Sequence, residues 1–258
     1  MPIGAQMFTL RDHCQDLDGI ARSLERVKAM GYDGIQASAA KFNTHDPDEV
    51  KAIKKALDDN GLVCAATHDG LLGADEDKIK AIIEKHRILD CKLTAIGGFF
   101  PSEAWTRKLW EDFIGKYNEL AGRFATAGIR IGYHNHSHEF APVEDGSIPM
   151  QMLVDGLDPS IWFEFDMYWV AHGLGDPAEW VGQVAGRIPA CHYKDGTTNE
   201  KREHVMRPVG AGNLNWPRIN EACRAAGVAW YLVERDAGPE DPFDALEISV
   251  KNMRSWDL

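Results

Sequence analysis

Ile131-Gly132-Tyr133-His134-Asn135-His136-Ser137-His138-Glu139-Phe140 is the stretch of this 258-residue chain that says most about its fold. A short apolar run passes directly into three imidazoles and a carboxylate, as a buried strand does when it ends at a polar site. Three later segments, 162–166, 188–192 and 230–234, have the same form and end in Asp166, His192 and Glu234. Four such strand ends predict one divalent metal site.

Short apolar runs alternate with helix-length amphipathic runs along the whole chain. The predicted strands are 3–8, 34–37, 62–67, 92–96, 130–135, 162–166, 190–193 and 229–234, and the predicted helices are 18–30, 48–60, 76–88, 103–127, 148–154, 177–185, 216–226 and 243–255. Glycine follows several helical runs and Asp-Pro opens others, which agrees with this division. Eight βα units without a linker predict an α/β fold in which residues 1–258 form a single (β/α)8 TIM barrel.

Composition limits the classes of function. The formal net charge of -12, from 28 Lys plus Arg against 40 Asp plus Glu, opposes a nucleic-acid partner, because phosphate backbones are bound chiefly through basic side chains. The N-terminus lacks a basic segment followed by an apolar one, and no run reaches the roughly 20 apolar residues of a membrane span. These features predict a cytoplasmic protein with no membrane partner. Five widely spaced cysteines without a CxxC pair predict reduced thiols.

In a TIM barrel the active site lies at the C-terminal ends of the strands, and the metal-binding residue types fall there on strands five to eight. Carboxylates prefer hard divalent ions, whereas imidazole suits Zn, Mn, Fe or Co. The mixed set therefore favours one Mn, Zn, Co or Mg ion over a thiolate structural site.

Further motifs accompany these strand ends. They are Gly4-Ala5-Gln6-Met7-Phe8-Thr9-Leu10-Arg11-Asp12, Gly31-Tyr32-Asp33-Gly34-Ile35, Tyr133-His134-Asn135-His136 with Glu139-Phe140, Asp166-Met167-Tyr168-Trp169, His192-Tyr193-Lys194-Asp195, Pro208-Val209-Gly210-Ala211-Gly212 and Glu234-Arg235-Asp236. With these motifs the chain resembles the xylose isomerase-like TIM barrels, over nearly its whole length. That family contains sugar and sugar-phosphate isomerases and epimerases, inosose dehydratases and endonuclease IV.

The resemblance implies Asp166, His192 and Glu234 as metal ligands. Many members place a glutamate on strand five where this chain has His134. Members with the Tyr-His-Asn-His pattern carry a glutamate a few residues later, which implies Glu139 as the fourth ligand here. If Glu139 does not bind the metal, His134 or His136 does.

Other residues at the strand ends are assigned to catalysis and substrate binding. The candidate acids and bases are Glu139, Glu234 and His136, and the candidate substrate-binding residues are His68, His134, Tyr168, Trp169 and Lys194. Each has an ordinary structural interpretation as a hydrogen-bonded or packed side chain.

These residues predict a metal-dependent isomerase or epimerase that acts on a sugar, keto-sugar or cyclitol. It would abstract a proton next to a carbonyl through a metal-stabilised enediolate. Departure of a β-hydroxyl from the same intermediate would make the protein a lyase or dehydratase. An endonuclease IV-like phosphodiesterase, which uses three zinc ions and a basic face, and a non-catalytic sugar-binding barrel are the alternatives from other classes.

The segment 196–212 is longer than most βα connections and has mixed charge. It is predicted to be a lid or a contact between subunits of a homo-oligomer.

Overall fold

A computed structural model describes residues 1–101 and 105–256. Eight parallel strands form one sheet that curls into a nearly closed barrel, which confirms the predicted fold. The barrel strands are β1 (Ile3–Gln6), β2 (Gly34–Ala37), β3 (Val63–His68), β4 (Leu93–Ile96), β5 (Arg130–His134), β6 (Trp162–Glu164), β7 (Ala190–Tyr193) and β10 (Trp230–Val233). Around the barrel they follow the order β6-β5-β4-β3-β2-β1-β10-β7. A separate antiparallel hairpin consists of β8 (Asp195–Thr198) and β9 (His204–Arg207).

Helices connect the strands. They are α1 (Leu17–Ala29), α2 (Pro47–Asp59), α3 (Glu76–Leu89), α4 (Arg107–Ala125), α5 (Pro149–Gly156), α6 (Met167–His172), α7 (Pro177–Gln183), α8 (Trp216–Ala226) and α9 (Pro242–Ser255). Short 3-10 helices cover Met7–His13, Ala40–Asn43 and His138–Phe140. Within the described part of the chain, none of the helices has both the length and the apolar character needed to cross a bilayer.

The seam of the barrel lies between β6 and β7. These strands are joined through a single parallel bridge between Asp166 and His192, and the backbone N–H of His192 donates to the Phe165 carbonyl at 2.9 Å. The last backbone pairing that closes the barrel therefore joins two of the predicted metal ligands.

A packed floor fills the barrel below the strand ends. The Trp162 indole occupies this space, and a side chain at Gly132 would come within 2.4 Å of it, so glycine is required there. Leu232 and the alanines of neighbouring strands complete the cluster. Because the interior is solid at this level, polar chemistry is confined to the C-terminal end of the barrel.

Several element boundaries differ from the prediction by one or more residues, and two of these differences have a clear local cause. The strand predicted for 3–8 ends at Gln6, because the Gln6 side chain accepts a hydrogen bond from the Phe8 N–H at 2.8 Å and the chain turns into a 3-10 helix. The helix predicted for 103–127 begins at Arg107, with the Thr106 side chain as its N-cap. Residues 103 and 104 of that prediction lie outside the described residues.

Two features of the chain after β6 were not predicted. The short helix α6 follows directly after Asp166, whose carboxylate caps it. The segment 196–212 contains most of the β8–β9 hairpin and an ordered turn, whose N–H groups at Gly210 and Gly212 donate to the buried Asp195 carboxylate at 2.9 and 3.1 Å. Its role as a lid or subunit contact stays a prediction.

Candidate metal centre and cleft

Four buried side chains meet at the C-terminal end of the barrel. His134 lies at the end of β5, Asp166 follows β6, His192 lies in β7 and Glu234 follows β10, and one potential ligand atom from each lies within 4.8 Å of all the others. The His192 Nδ1 lies 3.0 Å from the Glu234 Oε2 and 3.8 Å from the Asp166 Oδ2. We call these four residues the metal cluster.

The backbone explains why Asp166 points into this cluster. Its N–H donates to the Asn135 Oδ1 at 3.0 Å, which ties the residue after β6 to the end of β5. Its Oδ1 accepts from the Trp169 N–H at 2.9 Å as the N-cap of α6. The second oxygen, Oδ2, is left to face His134 and His192.

The polar atoms of the cluster are incompletely partnered, and this is the test of whether the site fits a metal. Both ring nitrogens of His134 are buried without a hydrogen-bond partner among the described residues, and the Asp166 Oδ2, which also has no hydrogen bond there, has the Lys194 ammonium 3.0 Å away as a charge contact. The His134 Nε2 lies 3.5 Å from that oxygen. Buried polar atoms rarely lack partners. Two imidazoles and two carboxylates are ligand types that Zn, Mn, Co and related divalent ions take, so these four residues fit a divalent metal ion.

The charge states of His134, Asp166 and Glu234 also suit metal binding. Burial and the charge on His192 lower the pKa of His134 to about 4, so its imidazole is neutral at pH 7 and able to act as a ligand. Burial raises the pKa values of Asp166 and Glu234, but the Lys194 charge and the neighbouring imidazoles outweigh it. Both pKa values therefore lie well below the usual range for carboxylates.

His192 carries the balancing positive charge. Its Nδ1 faces Glu234 and its Nε2 lies 2.6 Å from the Gln36 Oε1, so both nitrogens face acceptors. Burial lowers its pKa, but the charges on Glu164 and Glu234 outweigh this and raise the pKa to about 10. Because a ligand imidazole must give up one proton, metal binding here would release a proton from His192.

Lys194 is the second cation at the cluster. Its side chain is buried, and its Nζ lies 2.8 Å from the Glu234 Oε2, 3.0 Å from the Asp166 Oδ2 and 3.0 Å from the Asp236 Oδ1. The negative charges around Lys194 outweigh its burial and raise the pKa of the ammonium group, which keeps it charged.

The structure does not bring Glu139 to the metal cluster. Its carboxylate accepts from the Tyr133 hydroxyl at 2.8 Å and from the His136 N–H at 2.9 Å, within the turn that follows β5. Burial raises the pKa of Glu139 to about 7. In the metal cluster, strand five supplies His134, one of the alternatives that the sequence left open.

A second polar group lies beside the metal cluster. The His68 Nε2 lies 2.5 Å from the Glu164 Oε2, and the Gln36 side chain donates to the Glu164 Oε1 at 2.8 Å. Gln36 was not among the predicted site residues. A long polar side chain in the short buried strand Gly34–Ala37 was the signal that pointed to it.

An open cleft of about 780 Å³ leads to the metal cluster. Its lining residues are Gln6, Phe8, Ser38, Ala39, Asn43, His45, His68, Asp69, Gly70, Lys78, Gly97, His134, His136, Lys194, Glu234 and Asp236. The last of these, Asp236, was also not predicted.

The predicted substrate-binding residues divide into two groups. His68, His134 and Lys194 line the cleft, as does the candidate acid–base residue His136, whose pKa burial lowers to about 2. Tyr168 and Trp169 lie outside the cleft lining. The Trp169 ring lies 5.3 Å from the His136 ring, whereas Tyr168 packs against Gly196 of the hairpin.

Comparisons with known proteins agree with this architecture. Over 164 residues the chain is 25% identical to the rhizopine catabolism protein MocC of Rhizobium meliloti, a match that covers 58% of this chain and 49% of that protein. The chain thus spans about half the length of the curated relative that it matches.

Solved structures of other proteins share the fold. A sugar phosphate isomerase/epimerase from Parabacteroides distasonis superposes with a TM-score of 0.81 at 23% identity, over 99% of this chain and 94% of that one. A probable 3-DHS dehydratase from Bacillus anthracis superposes with a TM-score of 0.76 at 15% identity, over 99% of both chains. At these identities the likeness concerns the fold alone. A family model described as a xylose isomerase-like TIM barrel matches residues 24–256, and the chain therefore belongs to that family.

Proposed function

We propose that this protein is a metal-dependent isomerase or epimerase of a keto-sugar or cyclitol, which removes a proton from the carbon next to a carbonyl. The observation that carries the proposal is the metal cluster itself. Its buried nitrogen and oxygen atoms, some of them without a hydrogen-bond partner among the described residues, lie at the end of a cleft that is large enough for a sugar. The names of the structural neighbours, which include an isomerase/epimerase and a dehydratase, support a sugar-processing enzyme.

His134, Asp166, His192 and Glu234 would hold the ion. A divalent ion bound there would polarise the carbonyl of the substrate and favour loss of the neighbouring proton. Lys194 supplies a fixed positive charge beside the same carboxylates, and its ammonium group can donate a hydrogen bond to a substrate oxygen only by releasing one of the three carboxylates around it. We assign it to orienting that oxygen.

The proposed acid and base follow different strands of the barrel. Glu234 follows β10 and His136 follows β5, and both line the cleft. Both groups are unprotonated at pH 7, so either could remove the proton from a substrate carbon between them; the other, after taking a proton from solvent, would return it to the opposite face and invert the configuration. His68, held by Glu164, lines the cleft at β3 and is placed to contact a hydroxyl. Glu139, whose carboxylate is held by Tyr133 and His136, is not assigned to the reaction.

Two other functions have less support. A phosphodiesterase acting on DNA would need a basic face, and the chain has a net charge of -12. Elimination from the same substrate would give a dehydratase. Its product differs from that of an epimerase by one water, so the same experiment separates the two reactions.

The test is incubation of the metal-loaded enzyme with candidate keto-sugars and inososes in deuterium oxide, followed by NMR. Proton abstraction predicts deuterium at the carbon next to the carbonyl, or loss of that hydrogen on elimination. His136→Gln is expected to slow the exchange, and the exposed His204→Gln, on the β8–β9 hairpin, serves as the matched control. Turnover with the original hydrogen fully retained, and with no response to chelator, would overturn the proposal.

A further inference from the structure

We infer that the half of the cleft farther from the metal cluster is a second subsite, and that it binds a neutral sugar ring attached to the reacting sugar. The substrate would then be a glycoside or disaccharide rather than a free monosaccharide. The inference rests on the proposed function, since it takes the metal cluster as the place where the reacting sugar binds.

The cleft is much larger than one sugar. A six-carbon sugar has twelve non-hydrogen atoms and occupies on the order of 200 Å³ at the packing density of a protein interior. The cleft has a volume of about 780 Å³. Even a hydrated monosaccharide at the metal cluster leaves room for a group of similar size.

The extra space lies on one side. The metal cluster is built on β5, β6, β7 and β10, whereas much of the remaining lining comes from the segments after β1, β2 and β3. Small residues form part of this wall: Ser38, Ala39 and Gly70. Ala39 has φ 63 and ψ 172, a conformation that favours glycine, so the wall keeps a strained backbone with a minimal side chain.

Neutral polar groups and an aromatic ring line this side. The His45 Nε2 is buried without a hydrogen-bond partner among the described residues, and burial lowers the pKa of that imidazole, so it is uncharged at pH 7. The exposed Asn43 adds an amide, and Phe8 adds a ring with the Arg11 guanidinium on one face, 4.3 Å from its centroid. A flat ring with nearby amide and imidazole groups suits the apolar face and the hydroxyls of a sugar.

An anionic substituent fits this side less well. The helices α2 and α3 begin beside it, and their caps and first turns carry acidic side chains: Asp46, Asp48, Glu49, Asp75, Glu76 and Asp77. These occupy the helix ends where a phosphate would otherwise bind. Among the described lining residues of this side, Lys78 is the exposed cation, and one exposed lysine is a weak phosphate site.

Gly70 provides the substitution that separates the two halves of the cleft. An added Cβ there would meet only the flexible end of Lys78, at 3.1 Å, and the backbone is not in the left-handed region. Gly70→Leu is therefore expected to reduce the second subsite and to spare the metal cluster, no residue of which lies within 4 Å of the added Cβ. Gly115→Leu, on the exposed face of α4 with nothing within 4 Å, is the matched control.

The experiment compares three probes by ligand-observed NMR titration in the presence of Mg²⁺: D-fructose, the keto-disaccharide isomaltulose and D-fructose 6-phosphate. Isomaltulose is expected to bind roughly tenfold more tightly than fructose, as one or two added hydrogen bonds and a stacked ring provide. Gly70→Leu should remove that preference while leaving fructose binding unchanged, and Asn43→Ala should reduce it. Gly115→Leu should bind all three probes as the wild type does.

Equal binding of fructose and isomaltulose, or no detectable binding of isomaltulose, would overturn the inference. So would an equal loss of both sugars in Gly70→Leu. Preference for fructose 6-phosphate that is lost in Lys78→Gln would replace the neutral subsite with an anion site. Binding can be measured without turnover, so the two proposals can fail separately. Tight binding of isomaltulose without deuterium exchange would refute the proposed chemistry and support the subsite. Deuterium exchange without a preference for isomaltulose would support the chemistry and refute the subsite.

Discussion

Two buried clusters of carboxylate and imidazole side chains lie near the strand ends of this barrel, the metal cluster and a second one around Asp69, and they differ in how their polar atoms are partnered. In the Asp69 cluster, the Asp69 Oδ2 accepts from the Thr67 and Thr94 hydroxyls at 2.6 and 3.0 Å and lies 3.1 Å from the His86 Nε2. The Lys85 Nζ donates to its Oδ1 at 2.8 Å. The His86 Nδ1 pairs with a backbone carbonyl.

The metal cluster and the neighbouring Lys194 also combine carboxylate, imidazole and ammonium groups, but their polar atoms are less completely partnered. Both nitrogens of His134 are buried without a hydrogen-bond partner among the described residues, and one oxygen of Asp166 has only the charge contact with Lys194. Residue type and burial therefore do not distinguish a structural cluster from a ligand-binding one. The unpartnered atoms do, because burying a polar atom without a partner costs free energy unless a ligand satisfies it.

The largest expected effect comes from Asp166→Asn. Asparagine keeps the N-cap of α6 but removes the negative ligand, so the variant should lose its bound metal, and turnover should fall about a thousandfold or more. Elemental analysis of protein purified without chelator, with circular dichroism to verify the fold, measures the first effect. Metal content equal to that of the wild type would remove Asp166 from the ligand set.

Asp69→Asn is the matched change in the completed cluster. It leaves the buried Lys85 ammonium without its counter-ion, so the free energy of unfolding should fall by about 3 kcal/mol. Urea denaturation measures this loss, and metal content should stay at the wild-type level. If Asp69→Asn released metal as Asp166→Asn does, the distinction between the two clusters would fail.

Glu139→Gln tests a buried carboxylate that has hydrogen-bond partners, as Asp69 has, but that the sequence implied as a metal ligand, as it did Asp166. The folded-state pKa of Glu139 is raised from 4.5 to about 7, so the protonated carboxyl is favoured in the folded protein. This contribution to stability is fully present below about pH 4.5 and is lost as pH rises through 7, by up to roughly 3 kcal/mol. The free energy of unfolding of Glu139→Gln, relative to that of the wild type, should therefore be higher at pH 8 than at pH 5. Urea unfolding at both pH values measures this difference.

The exposed Glu25→Gln on α1 is the control for that comparison, and its stability difference from wild type should not change with pH. Metal content in Glu139→Gln should match the wild type, because Glu139 bonds to Tyr133 and His136 instead of to the cluster. Loss of metal in this variant would restore Glu139 as the strand-five ligand.

Local patterns were sufficient to predict the barrel. Alternating apolar runs place Asp166, His192 and Glu234 after or near the ends of three strands, and parallel strands bring such residues to one edge. The helix α6 was missed because only six residues form it, and its start depends on the Asp166 side chain. The hairpin of β8 and β9 was missed because its order depends on Asp195, whose carboxylate gathers N–H groups that are distant in sequence.

The sequence by itself determined the fold family, the end of the barrel that carries the site, and three members of the metal cluster. It favoured Glu139 as the fourth member, with His134 and His136 as alternatives, because all three lie close together in the sequence at the end of β5. Tertiary structure decided this through Tyr133, whose hydroxyl holds the Glu139 carboxylate away from the cluster while the strand pairing of β5 with β6 sets His134 opposite Glu164. The hydrogen-bond partners of a side chain depend on the tertiary structure, whereas strand periodicity determines only the face of the sheet on which that side chain lies.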